Sequence, residues 1–141
     1  MKYIKAQKKW TVRLKHWLSM PFIWLMFFPV LGMDISLEIY HRICFPLYNI
    51  PYVKRSEYIR VDRYKLKYLS LFQKLSCAYC GYANGVFAYV SEIGARTEEY
   101  WCGVQHAKER KFVEPKHHEN FLPYGDEEAF NTEYACDLGK K

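Results

Sequence analysis

WLSMPFIWLMFFPVLGM, residues 17–33, runs for seventeen positions without a charge. In a chain this small such a run must enter either lipid or the middle of a core. As a straight helix it would rise about 25 Å, short of the roughly 30 Å hydrocarbon layer of a bilayer. Pro21 and Pro29 each withdraw one intrahelical donor. Trp17, Trp24, Phe27 and Phe28 suit a membrane interface better than a buried core helix. No small-residue cleavage site follows, which argues against a signal peptide, and the chain passes directly into Asp34.

Positive charge marks the cytoplasmic side of a membrane segment, and here it stands on both flanks. Residues 1–16 hold six Lys/Arg, and residues 34–67 hold seven. A single pass therefore has no preferred direction. A re-entrant anchor that enters and leaves on the cytoplasmic face satisfies both flanks, with Pro29 and Gly32 as the place to turn. A true span is the alternative. The anchor residues on either reading are Trp17, Pro21, Trp24, Phe27, Phe28 and Pro29. Residues 1–113 carry 18 Lys/Arg against 8 Asp/Glu, and residues 114–141 carry 3 against 7. A basic body of this kind points to anionic membrane lipids as a partner, and an anchor argues against nucleic acid.

Helical patterns fill most of the rest. Residues 34–50 read as an amphipathic helix ending near Pro46, with Asp34, Glu38, His41 and Arg42 on one face. Asp62 is placed to cap a helix over 63–75. Another helix follows Cys80, with a break expected near Gly94 and Thr97 as the next cap, and a short one falls within 126–136. No strand alternation stands out, so the fold class expected is all-α. The organisation expected is a basic amphipathic segment at 1–16, anchor and interfacial helix at 17–50, a helical metal-binding domain at 51–113, and an acidic tail at 114–141.

The cysteines suggest the metal. Five is an odd number, which does not suit a secreted disulfide framework. Cys77 and Cys80 stand in CAYCGYANG, and Cys102 and His106 in WCGVQH, giving C-x2-C followed by C-x3-H. Three thiolates and one imidazole suit a closed structural zinc site. That reading needs a turn at Cys77–Cys80, relaxed by Gly81, and a returning helix for Cys102 and His106.

CAYCGY also resembles the first knuckle of rubredoxin, which implies iron as the alternative metal, although rubredoxin requires a second C-x-x-C-G that this chain replaces with Cys102 and His106. Over most of its length, from LEIYHRICFPLYNIPYVKR through CAYCGYANG to YWCGVQH, the chain resembles a family of small uncharacterised bacterial membrane-associated proteins. The resemblance implies an inner-membrane location and supplies no reaction.

Asp34, Glu38 and His41 form a second polar site, in which Glu38-x-x-His41 has the i, i+3 spacing of di-metal carboxylate centres. Glu114-Pro-Lys-His117, with His118 beside it, repeats the letters in a less helical setting. The plainer reading makes Glu38 and Arg42 an ion pair on the wet face of an interfacial helix. No phosphate loop or nucleophile elbow is present. These features point to a metal-binding accessory or scaffold protein at the cytoplasmic membrane face, working with a larger membrane complex. An iron electron carrier to a membrane oxidoreductase is the alternative.

Overall fold

The structure, a computed structural model, describes residues 10–138. The fold is all-α: the helices are α1 (Trp10–Leu25), α2 (Phe27–Tyr48), α3 (Arg55–Tyr58), α4 (Leu71–Trp101) and α5 (Glu127–Leu138). Short 3-10 turns occupy Arg63–Lys65 and Lys116–Asn120. No strand forms among the described residues, only a single parallel bridge between Val104 and Leu122. Contacts divide the chain into two compact units, Met1–Val90 and Ser91–Lys141.

In the first unit the apolar run does not turn back. α1 and α2 are separated by Met26 alone, whose backbone stays helical at φ −67° and ψ −12°. Helical hydrogen bonds continue across it, from Met26 N–H to Phe22 O and from Val30 N–H to Met26 O. Pro29 explains the interruption, because its missing N–H would have bonded Leu25 O, at the residue where α1 ends. The hairpin expected at Pro29 and Gly32 is therefore replaced by an almost continuous helix. Leu14–Tyr48, 35 residues and about 52 Å of rise, is long and apolar enough to cross a membrane. α2 passes Pro46 and stops at Tyr48, where Asn49 adopts the left-handed conformation (φ 56°) and Ile50 N–H closes back on Phe45 O.

α4 runs parallel to this helix. Trp17 stacks on Phe72, Trp24 on Tyr79 at 5.2 Å, Phe27 meets Tyr82, and His41 meets Tyr89, so the contacts advance together along both chains. Val30, Ala83 and Val86 form the core between them. A parallel pair needs a long return, and residues 49–70 supply it, running back beside α4. Gly81 and Gly85, four apart on one helical face, let that return lie close. A Cβ on Gly85 would sit 2.8 Å from Ile59 Cα and from Tyr58 O, and one on Gly81 3.2 Å from Arg60 O. The glycines of CAYCGYANG thus make room for a backbone rather than loosening a metal knuckle.

The helix expected over 63–75 does not form. Asp62 makes no capping bond, and only a 3-10 turn follows it. α4 begins at Leu71 because Ser70 and Gln73 form a reciprocal capping box, with Ser70 N–H on Gln73 Oε1 and Gln73 N–H on Ser70 Oγ. Nor does the helix break near Gly94. Thr97 bonds back to Ile93 O at 2.7 Å, and α4 continues to Trp101.

In the second unit α4 ends at Trp101, two residues before the left-handed Gly103 (φ 56°), and both Cys102 and Gly103 donate to Glu98 O. Gly103 O and Gln105 N–H then pair with Leu122. α5 is capped by Asp126, whose carboxylate accepts from Ala129 N–H.

Candidate metal centre

Cys77 and Cys80 do not form the turn that the predicted Cys3His set requires. Cys77, half-buried, and Cys80, exposed, lie inside an unbroken helix rather than a turn. That helix runs unbroken through residues 77–81, where the knuckle needs its turn. Cys102 and His106 do not share a helical face either, because α4 ends at Trp101. The rubredoxin-like knuckle likewise requires a turn at residues 77–80, where the chain is helical.

His106 does reach a cluster, with different companions. Once Gly103 stops α4 and the Val104–Leu122 bridge draws the chain back, the turn Lys116–Asn120 faces the last turn of the helix. Gln105 Nε2 ties down His118 O at 3.0 Å. His117 Nε2 lies 2.9 Å from Glu98 Oε2, and His118 Nε2 lies 3.2 Å from Glu98 Oε1. His106 Nε2 stands 4.0 Å from the same Oε1.

His118 is the unusual member. It is 1% exposed and stacks on Phe121, yet neither ring nitrogen has a hydrogen-bond partner among the described residues, the approach to Glu98 being poorly aligned. A buried imidazole left in that state costs free energy unless something supplies the missing bond. Glu98 is correspondingly acidic. The hydrogen bond from His117, helped by His118 and opposed by partial burial, holds its carboxyl below the usual range.

The donor set fits a divalent transition metal. One donor atom from each of Glu98, His117 and His118 lies within 4.8 Å of the others. Tetrahedral ligands about 2.1 Å from zinc stand about 3.4 Å apart, close to the distances found. Two imidazoles and a carboxylate leave a fourth position, and His106 is the nearest side chain to fill it.

The second polar site is assembled, but as a closed network. Asp34 accepts two bonds from Arg55 and one of 2.7 Å from the Tyr82 hydroxyl. Glu38 accepts from Arg42 Nε at 2.7 Å and from Tyr89. His41, fully buried, accepts Val53 N–H on Nε2, so its proton resides on Nδ1 and is donated to Tyr89, which in turn donates to Glu38. Burial first, and then Glu38, push the Tyr89 phenol well up, which keeps it a donor. With both nitrogens of His41 engaged, His41 offers no lone pair to a metal.

Of the anchor residues, Trp17, Pro21, Phe28 and Pro29 are exposed, while Trp24 and Phe27 face α4. Sequence reasoning missed Glu98 entirely, since nothing separates it from any helix-end glutamate. The adjacent pair His117-His118 was the available signal. Compared with known proteins, the chain matches no family model, no curated protein and no solved structure.

Proposed function

We propose that this is a membrane-surface metalloprotein, an accessory or scaffold component whose divalent metal, zinc by its donor chemistry, is held by Glu98, His117 and His118 with His106 as the nearest fourth ligand. The observation that carries the reading is His118: a buried imidazole without a well-aligned hydrogen bond, 3.2 Å from a carboxylate that a second imidazole also contacts. Imidazole and carboxylate donors suit zinc and neighbouring divalent transition metals.

The membrane part of the reading rests on the long helix. Its outer stripe of Leu14, Leu18, Phe22, Leu25 and Phe28 continues as Ile35, Ile39, Ile43 and Leu47, all exposed. The return segment argues for a helix lying in the interface plane. Its Arg60 is fixed beside Gly81 and its Ser70 adjoins Leu71, so Asp62, Arg63, Lys65 and Lys67 occupy the axial levels at which α4 contacts Trp17 to Phe27. A span would carry those charges to membrane depth, at about 2.5–3.5 kcal/mol each near the centre. In-plane binding leaves them in water and uses the apolar stripe.

Cobalt substitution tests the metal centre. The purified full-length protein is expected to take up about one Co²⁺, with visible d–d bands and no thiolate charge-transfer band in the near ultraviolet. A strong thiolate band, or no stoichiometric uptake, would overturn the assignment.

A further inference from the structure

We infer that the cavity beside α2 is a site for the phosphodiester headgroup of a membrane phospholipid. The inference rests on the membrane reading above and is independent of the metal centre. The cavity holds about 430 Å³ and is lined by Asp34, Ile35, Glu38, Ile39, Arg42 and Arg55. Its chemistry is divided. Its lining combines two guanidiniums and two carboxylates with two isoleucines of the exposed apolar stripe.

The carboxylates are already committed. Asp34, its side chain 8% exposed, takes Nε and Nη2 of Arg55 together with the Tyr82 hydroxyl. Glu38 takes Arg42 and Tyr89. They therefore act as props that fix two arginines, and they contribute neither a base nor a metal ligand. Arg42 gives Glu38 only its Nε, so its terminal nitrogens are uncommitted among the described residues, and Nη1 of Arg55 is likewise unspent. Two propped guanidiniums with N–H groups to give match the oxygens of a phosphate, for which Arg is better suited than Lys. An acyl chain leaving that phosphate along Ile35 and Ile39 would join the surface proposed to face lipid.

The four charges sum to zero, so recognition here depends on hydrogen-bond geometry rather than net attraction. Binding at this site should accordingly survive salt that weakens the general pull of the basic surface, which is screened within about 10 Å at 0.1 M.

The test uses the full-length protein in a neutral detergent and water-soluble dihexanoyl-phosphatidylglycerol, titrated calorimetrically at low and at 0.5 M salt. Binding that persists at high salt, falls at least tenfold in Arg42→Gln, and is unchanged in Lys54→Gln is the expected result. Lys54→Gln removes the same charge from a neighbouring exposed residue outside the cavity. Arg42 is 70% exposed, so its loss should leave the fold intact, and circular dichroism checks that. An equal drop in both variants would reduce the effect to surface charge and overturn the site. Inorganic phosphate binding as tightly as the lipid would overturn the lipid assignment in favour of free phosphate. Sedimentation of the wild type with anionic vesicles separates the two levels. Vesicle binding without the Arg42 effect sinks only this site, whereas no vesicle binding sinks the membrane reading beneath it.

Discussion

His118 concentrates more chemistry than any other single residue in the chain. An imidazole excluded from water usually donates one N–H and accepts at the other nitrogen, as His41 does. His118 does neither with good geometry among the described residues, its 3.2 Å approach to Glu98 being poorly aligned, so a bound metal would be expected to stabilise the fold. Replacing His118 or Glu98 by Ala is expected to weaken zinc affinity at least 100-fold, measured by competition with a chromogenic chelator. Cys77→Ser and Cys80→Ser should leave it unchanged. Loss of zinc in the cysteine variants with retention in His118→Ala would restore the thiolate site. Tyr82 marks the other unit. Burial first, and then its bond to Asp34, raise its phenol to about 12. A folded-state value above the unfolded one near 10 means that stability from this bond is complete below pH 10 and falls as pH rises towards 12. Ultraviolet titration at tyrosinate absorption should show a late-ionising phase that Tyr82→Phe diminishes, and an unaltered phase would refute the assignment.

At the scale of elements, Gly81 and Gly85 pose a question of magnitudes. Alanine in a helix interior is favoured over glycine by about 1 kcal/mol. A Cβ at Gly85 meets backbone at 2.8 Å on two atoms, and backbone cannot swing aside as a side-chain tip can. Overpacking of that kind costs about 1–3 kcal/mol and wins. Gly85→Ala is therefore expected to lower stability by up to about 2 kcal/mol, whereas Gly81→Ala, with one contact at 3.2 Å, should be nearly neutral. Chemical denaturation of both variants checks the difference, and equal effects would mean that the return segment does not rest where it is described. The same glycines show what the sequence could and could not convey. The apolar run, the helical class and the termination of α2 soon after Pro46 followed from local chemistry, and so they were legible. The partner of a Gly-x-x-x-Gly face is set by tertiary packing, and beside two cysteines those glycines suggested a turn. Ser70-x-x-Gln73 was a legible cap that Asp62 overshadowed. His117 and His118 meet Glu98 only through the Gly103 turn and the Val104–Leu122 bridge, which local periodicity does not encode.

For the whole molecule, the decisive matter on the proposed reading is how its long helix would meet a bilayer. Leu14–Tyr48 passes the length and apolarity needed for crossing, and its rise of about 52 Å exceeds what a roughly 30 Å layer requires. The surplus does not decide between tilt and surface binding. On the proposed reading the charged return segment favours surface binding, because an irregular backbone carrying Arg60, Arg63, Lys65 and Lys67 beside the same helix would lack hydrogen-bond partners within hydrocarbon. The two arrangements differ in where the helix ends emerge. Single cysteines at Thr11 and at Lys54, introduced after the native cysteines are changed to serine, report the two ends. In sealed vesicles an impermeant maleimide should label both positions from one side and neither from the other. Labelling of Thr11→Cys from one side and Lys54→Cys from the opposite side would establish a crossing helix, and the return segment would then have to leave α4 when the protein enters the membrane.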